Sequence, residues 1–303
     1  MATVEKVSYG GWSNVYRVAN QQIELMVTAD VGPRIIRFGF VGGDNVFYQD
    51  KAVEGKLGGD DWQLYGGHRL WHAPEDAVRT YYPDNQPLTI TTSANGLKVV
   101  QAVEPPTGIQ KEIEITISES NSVRVLHRLR NHNQWSVELA PWALSVMAGG
   151  GVGIVPQPPK GVHPRDLVPA ARIIVWPFTY MADPRWTWGN NYIMLRQDNN
   201  STASQKFGMS ITENWMAYAR NGNLFVKTFK HQAGATYPDL GCSGEMFTND
   251  YMLEVESLGP VANIAPGAAV EHEEHWYLFN NVPMPATEAD VDQHVLPAIK
   301  QIK

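Results

Sequence analysis

Apolar and polar residues alternate with a period of two along most of the chain. Residues 22–29 place Ile23, Leu25 and Val27 on one face, and 35–40 repeat the pattern after Gly32-Pro33. The same alternation recurs at 88–92, 97–103, 109–118, 123–130, 192–197, 207–211, 215–220, 224–229, 251–257 and 270–279. Turn signals separate these runs. Asn95-Gly96 suits a type I′ hairpin, whose two central residues need positive φ, and Asn221-Gly222-Asn223 marks another tight connection. Many short strands with turns between them predict an all-β fold, a sandwich or a barrel. Helical signals are confined to the tail at 286–303. There Thr287 can cap, Asp290 follows three residues on, Val291 and Val295 share a face, and Pro297 forces a break or a second short turn. The Pro/Gly-rich stretch 149–169 reads as a long ordered loop, so residues 1–303 are expected to form one domain.

Charge and composition narrow the function classes. A net charge of −7 opposes nucleic acid and anionic membranes as partners. No apolar run approaches the length of a membrane span, and residues 1–6 lack the basic and apolar regions of a secretory leader, so a cytoplasmic location is expected. Cys242 is the only cysteine; it cannot form an intramolecular disulfide and has no evident partner for nucleophilic chemistry. There is no phosphate-binding glycine loop, no dinucleotide fingerprint and no Gly-x-Ser-x-Gly elbow. Ten Trp and twelve Tyr supply flat apolar faces with polar tips, which suit sugar rings as well as a large β core.

Chemistry-bearing side chains fall into five clusters. Residues 65–75 bring together His68, Arg69, Trp71, His72 and Glu75 behind Gly66-Gly67, where a backbone without Cβ atoms lets a ligand approach. His68 and His72 have the spacing of a zinc-binding pair, but Arg69 stands where the general-base Glu would be and Pro74 ends any helix; no metal is expected. In 251–258, Glu254 and Glu256 share one strand face, where mutual repulsion raises one pKa toward the range of a general base. Trp176, Asp183 and Arg185 lie in an aromatic-rich stretch that could form a sugar platform. Lys227 sits on a strand, and Asp239 and Glu245 on a turn-rich segment after it. In 272–276, His272, Glu274 and Trp276 share a face opposite Glu273 and His275.

These pieces together resemble the galactose-mutarotase (aldose 1-epimerase) superfamily. The resemblance runs through Ile23–Ala29, Gly32-Pro33-Arg34-Ile35-Ile36, Gly66-Gly67 with Trp71 and Pro74, Asn131-His132, Glu254 and Glu256 on a late strand, and Ala265-Pro266-Gly267 with Glu274 and Trp276. It implies a supersandwich of antiparallel sheets with a concave face that binds a mono- or oligosaccharide, without cofactor. By that resemblance Glu256 (or Glu254) is the base and His72, alternatively His68, the acid. Arg69, Glu75, Trp142, Trp176, Asp183, Arg185, Lys227, Asp239 and Glu245 are the substrate-binding candidates. One departure stands out. Where the family carries its acidic His, this chain reads Glu138-Leu139-Ala140-Pro141-Trp142. A lyase or glycosidase using the same cleft and a non-catalytic sugar binder are the alternatives.

Overall fold

The computed structural model describes residues 2–302. The strands in chain order are β1 (Thr3–Tyr9), β2 (Trp12–Ala19), β3 (Ile23–Thr28), β4 (Arg34–Phe40), β5 (Gly67–Ala73), β6 (Thr89–Ser93), β7 (Gly96–Val100), β8 (Ile109–Ile117), β9 (Ser122–Asn131), β10 (Val137–Ala148), β11 (Val152–Pro156), β12 (Ile173–Val175), β13 (Trp186–Trp188), β14 (Tyr192–Arg196), β15 (Gln205–Met209), β16 (Trp215–Arg220), β17 (Asn223–Phe229), β18 (Gly244–Thr248), β19 (Met252–Leu258), β20 (Ala262–Ile264) and β21 (Ala269–Phe279). They form two antiparallel sheets. The first runs β1-β2-β3-β4-β5-β10-β19-β18-β15-β12, with β20 joined to the start of β10; the second runs β13-β14-β11-β16-β17-β21-β9-β8-β7-β6. The two-layer all-β architecture is the one the alternation predicts.

The layers meet over one large core. Val27, Ile35, Phe38, Leu70, Leu253 and Val255 from the first sheet pack against Ile113, Val125, Phe225 and Trp276 from the second. Three smaller apolar clusters cover outer faces. One of them joins Val152, Met194, Ala217 and Val226 to Val291, Val295 and Ala298 of the tail. The tail folds as α1 (Glu288–Asp290), a π-helical turn at Val291–Val295 and α2 (Leu296–Ile299). Thr287 and Asp290 form the expected reciprocal cap. Pro297 has no N–H to return to residue 293, and the five residues ahead of α2 widen to i→i+5 pairing.

Two local readings change. The hairpin at 93–96 pairs Ser93 with Gly96, so Ala94 and Asn95 occupy the turn and Gly96 does not take positive φ. Glycine is needed there because a Cβ would collide with the Ile115 carbonyl. The Asn221-Gly222 turn has positive φ at both residues, 50° and 74°, as a type I′ connection demands. Within 149–169, residues 152–156 are a central strand, and only the remainder is loop.

Between the sheets lies a closed polar network. Glu274 Oε1 accepts from Lys227 Nζ at 2.7 Å and from Ser257 Oγ at 2.5 Å, and Oε2 accepts from Trp276 Nε1 at 2.7 Å. His127 Nδ1 donates to the His272 carbonyl at 2.9 Å, which leaves its Nε2 to accept from His68 Nε2 at 2.7 Å. His68 Nδ1 then accepts from Ser145 Oγ at 2.9 Å. The bonds fix a neutral tautomer at both rings. Burial pushes His68 and His127 below the usual imidazole range and His272 down to about 3, and the Glu274 charge only partly offsets this. The folded protein therefore resists protons that the unfolded chain takes up below about pH 6.5, and the stability this provides falls as pH drops through that value. We expect the imidazole NMR signals of these three residues to stay neutral from pH 8 to pH 5; a midpoint above pH 6 for any of them would contradict the network.

Candidate active site on the concave face of the larger sheet

The site is set by register. Across β5, β10, β19, β18 and β15, paired residues share a face. One row reads Gly67, Val146, Glu254, Phe247 and Lys206; the next reads Arg69, Leu144, Glu256, Glu245 and Gly208; a third brings Trp71 against Trp142 and Leu258. The rows face away from the core, and from them Arg69, Trp71, Trp142, Leu144, Lys206, Phe247 and Glu254 line a cleft of about 350 Å³. Loops close its sides with Trp62, Glu75 and Tyr81 at one end and Trp176, Phe178 and Tyr251 at the other. Gly67 has positive φ, and a Cβ there would strike the Ile35 carbonyl; the chain enters β5 through this tight turn, which fixes which face Arg69 takes.

The cleft floor is charged. Arg69 Nη2 donates to Glu254 Oε1 at 2.8 Å, and its guanidinium lies over Trp71, 4.3 Å from the ring centroid. Its Nε and Nη1 are buried and make no hydrogen bond. Lys206 Nζ sits between the rings of Trp142 and Trp176, at 4.8 and 4.7 Å, and contacts Glu245 Oε2 at 2.8 Å and Glu256 Oε2 at 3.3 Å. The contact to Glu245 is an ion pair without hydrogen-bond alignment, since neither Glu245 oxygen accepts a hydrogen bond. Glu256 Oε2 also accepts from Trp142 Nε1 at 2.8 Å, whereas Oε1 is left without a partner. One ammonium thus faces two buried carboxyl groups. Burial raises the pKa of both, more than Lys206 can offset, with the Glu256 charge adding to the rise at Glu245 and the Glu254 charge to that at Glu256. Their two charges in turn hold Lys206 above its ordinary range despite burial.

Several predicted site residues meet here: Arg69, Glu75, Trp142 and Trp176 line the cleft, with Glu245 and Glu256 directly beneath Lys206. Glu256 is fully buried, and of the two β19 carboxylates the one that lines the cleft is Glu254. The expected imidazole is not there. His68 and His72 alternate with Arg69 and Trp71 on β5 and so enter the opposite, inner face, where His68 joins the core network and His72 lies 3.8 Å from Glu104. The acid role assigned to them fails on this geometry. Lys227 is likewise internal, bound to Glu274. Asp183 and Arg185 are closed on each other by two 2.9 Å bonds and do not line the cleft. Asp239 stands behind the cleft near Glu245 and Lys206, where burial raises its pKa.

Lys206, Trp62 and Tyr81 were not singled out from sequence. Gln205-Lys206-Phe207 carried no motif, and the lysine is informative only once β15 is placed beside β18. As for metals, His68, His127 and Glu274 offer ligand atoms within 4.8 Å of one another. All are already committed to hydrogen bonds, and the Lys227 ammonium occupies the position beside the carboxylate, so a divalent cation would add uncompensated buried charge. Among the described residues, no helix is long and apolar enough to cross a membrane.

This arrangement of sheets is the galactose-mutarotase-like fold. A galactose mutarotase-like protein from Lactobacillus casei aligns with a TM-score of 0.57 at 8% identity, over 88% of this chain and 100% of its own. A putative mutarotase, YeaD, from Salmonella typhimurium aligns at 0.57 and 9%, over 88% and 90%. Galactose 1-epimerase from Lactobacillus acidophilus aligns at 0.52 and 9%, over 93% and 99%. No protein-family model matches the chain, and no curated protein sequence does.

Lys206→Met tests the electrostatics. It leaves Glu245 and Glu256 facing each other without a cation, and we expect a loss of about 3–5 kcal/mol at pH 8. Because protonation relieves that repulsion, the loss relative to wild type should shrink at pH 5; urea unfolding that shows equal losses at both pH values would contradict the repelling carboxyl pair beneath Lys206.

Proposed function

We propose that the protein binds a pyranose in this cleft and interconverts its anomers by acid–base catalysis, as an aldose 1-epimerase-like isomerase. The observation that carries the reading is the placement of Glu254 and Lys206 on the same row, at the floor of an aromatic cleft. The fold is shared with proteins described as mutarotases and a galactose 1-epimerase, which supports a sugar as ligand.

The chemistry needs one proton removed from the anomeric hydroxyl and one delivered to the ring oxygen. Glu254, held by Arg69, takes the first. Lys206 gives the second, and the C1–O5 bond breaks to leave the open-chain aldehyde. Rotation about C1–C2 and reversal of both transfers close the ring as the other anomer, returning each proton to its donor. Glu245 and Glu256 act through Lys206: they hold its ammonium at the floor of the cleft, and the proton it lends to the ring oxygen returns to it when the ring closes. The free Nε and Nη1 of Arg69 face no protein acceptor and supply donors for sugar hydroxyls. Metal or organic cofactor has no part in this scheme.

Polarimetry on fresh α-glucose and α-galactose tests it. Wild type should accelerate mutarotation, and Glu254→Gln should cut that acceleration by about 10²–10⁴-fold while sugar still quenches the cleft tryptophans. Equal rates in the two proteins would remove Glu254 as the base. Sugar binding by wild type without any acceleration would make the protein a non-catalytic sugar binder, a reading favoured by the absence of an imidazole from the cleft lining.

A further inference from the structure

Residues 157–176 form an arm that leaves the body of the domain and returns to it. Every residue from 159 to 173 is exposed. Among the described residues, the hydrogen bonds that hold the arm to the body lie at its roots: Gln157 N–H donates to the Asn191 carbonyl at 2.8 Å, and Arg172 Nη1 to the Leu240 carbonyl at 3.1 Å. Between the roots the bonds are internal. Arg165 N–H donates to the Val162 carbonyl at 2.8 Å, and Val162 N–H to Asp166 Oδ2 at 2.7 Å. Yet the arm is not a polar linker. Val162, Leu167 and Val168 all stand in solvent, the last 83% exposed. Pro158, Pro159, Pro164 and Pro169 stiffen it, so it gives up little backbone freedom on docking. A stiff segment that holds apolar side chains away from its own core leaves them for another molecule.

The arm ends in β12, the terminal strand of the first sheet, which pairs with β15 on one side. Among the described residues, no backbone hydrogen bond reaches its other edge. An open edge is a template for another strand, and sheets ordinarily guard it with charged or polar side chains. β1, at the opposite end of the same sheet, carries Glu5 and Lys6. β6, which ends the second sheet, is Thr or Ser at every position but Ile90. β12 is Ile173-Ile174-Val175, with Ile173 and Val175 exposed, and has no such guard.

The geometry points to a second copy of this chain as the occupant: two β12 edges pair antiparallel about a two-fold axis, and each arm crosses to the other subunit. An antiparallel edge is self-complementary, as a two-fold interface requires. With the axis at Ile174, Ile173 faces the partner's Val175, and Trp176 faces the partner's Arg172. The same register carries the partner's arm back along residues 177–181. There Phe178, Tyr180 and Met181 are exposed apolar side chains that the chain's own core leaves uncovered. Charge agrees with this. Residues 157–176 carry Lys160, Arg165 and Arg172 against Asp166 alone, a net +2 in a chain of −7, which leaves −9 on the remainder. A basic arm suits an acidic body, and each copy supplies both. Trp176 and Phe178 line the cleft, so the partner's arm lies at its mouth and the site of one copy is walled in part by the other. The pairing is independent of what the cleft binds.

Sedimentation velocity and non-reducing electrophoresis test the pairing. Wild type should sediment at twice the chain mass at micromolar concentration. Ile174→Cys should form an intersubunit disulfide on mild oxidation, because the two-fold sets the two copies of residue 174 directly opposite, about 4.5–5.5 Å apart at Cα. Wild type is the control, since its one cysteine, Cys242, is buried. Leu167→Asp combined with Val168→Asp should weaken the dimer about a hundredfold or more, the effect of losing two apolar contacts on each arm. Both side chains are exposed, so the fold should be unchanged, which far-ultraviolet circular dichroism checks. A wild type that stays monomeric at every concentration overturns the proposal. So does a dimer that survives the double substitution, or one that Ile174→Cys fails to cross-link.

Discussion

The whole site depends on β19 being held in register between β10 and β18. A strand paired on both edges cannot slip by one residue without turning every side chain to the other face. That pairing sends Glu254 and Glu256 to the concave side and Val255 and Ser257 into the core. It also places Glu256 directly across from Glu245, and Glu254 in the same row as Lys206, two strands away with Phe247 between them. Two carboxylates forced side by side in a dry place need a cation, and the cation needs the rings that flank it. Arg69, Lys206 and their aromatic partners follow from that one constraint.

A single sheet separates two charged clusters of different character. Inside, Lys227, Glu274 and three histidines form a network in which every buried polar atom has a partner. Outside, Arg69, Glu245 and Glu256 each keep buried polar atoms with none. A satisfied network stabilises and specifies a fold; an unsatisfied one beside a cleft retains hydrogen-bonding capacity for something that binds. The contrast between these two clusters supports the proposal that the cleft binds a ligand.

Much of this was legible in the sequence because strand alternation is a strong signal where one face is apolar. The β3, β8, β9, β16, β17, β19 and β21 runs fall within a residue or two of their expected bounds. The paired orientation of Glu254 and Glu256 follows from parity alone. β5 was not legible as a strand, because His68, Arg69, Trp71 and His72 are buried on both faces and the polar–apolar alternation is lost. Taking that segment as one cluster put its histidines and Arg69 in one place; pairing with β4 and β10 puts them on opposite sides. Lys227 was read as a cleft residue for want of its partner, Glu274, 47 residues away, which sustains its burial between the sheets. Lys206 became meaningful only through long-range pairing of β15 with β18, which no local pattern encodes.

The most direct measurement is a crystal structure of the protein soaked with a reducing sugar. A pyranose over Trp71, with oxygens within hydrogen-bond distance of Arg69, Glu254 and Lys206, is the result expected here. Sugar density confined to another surface, with the cleft filled only by solvent at saturating sugar, would contradict it.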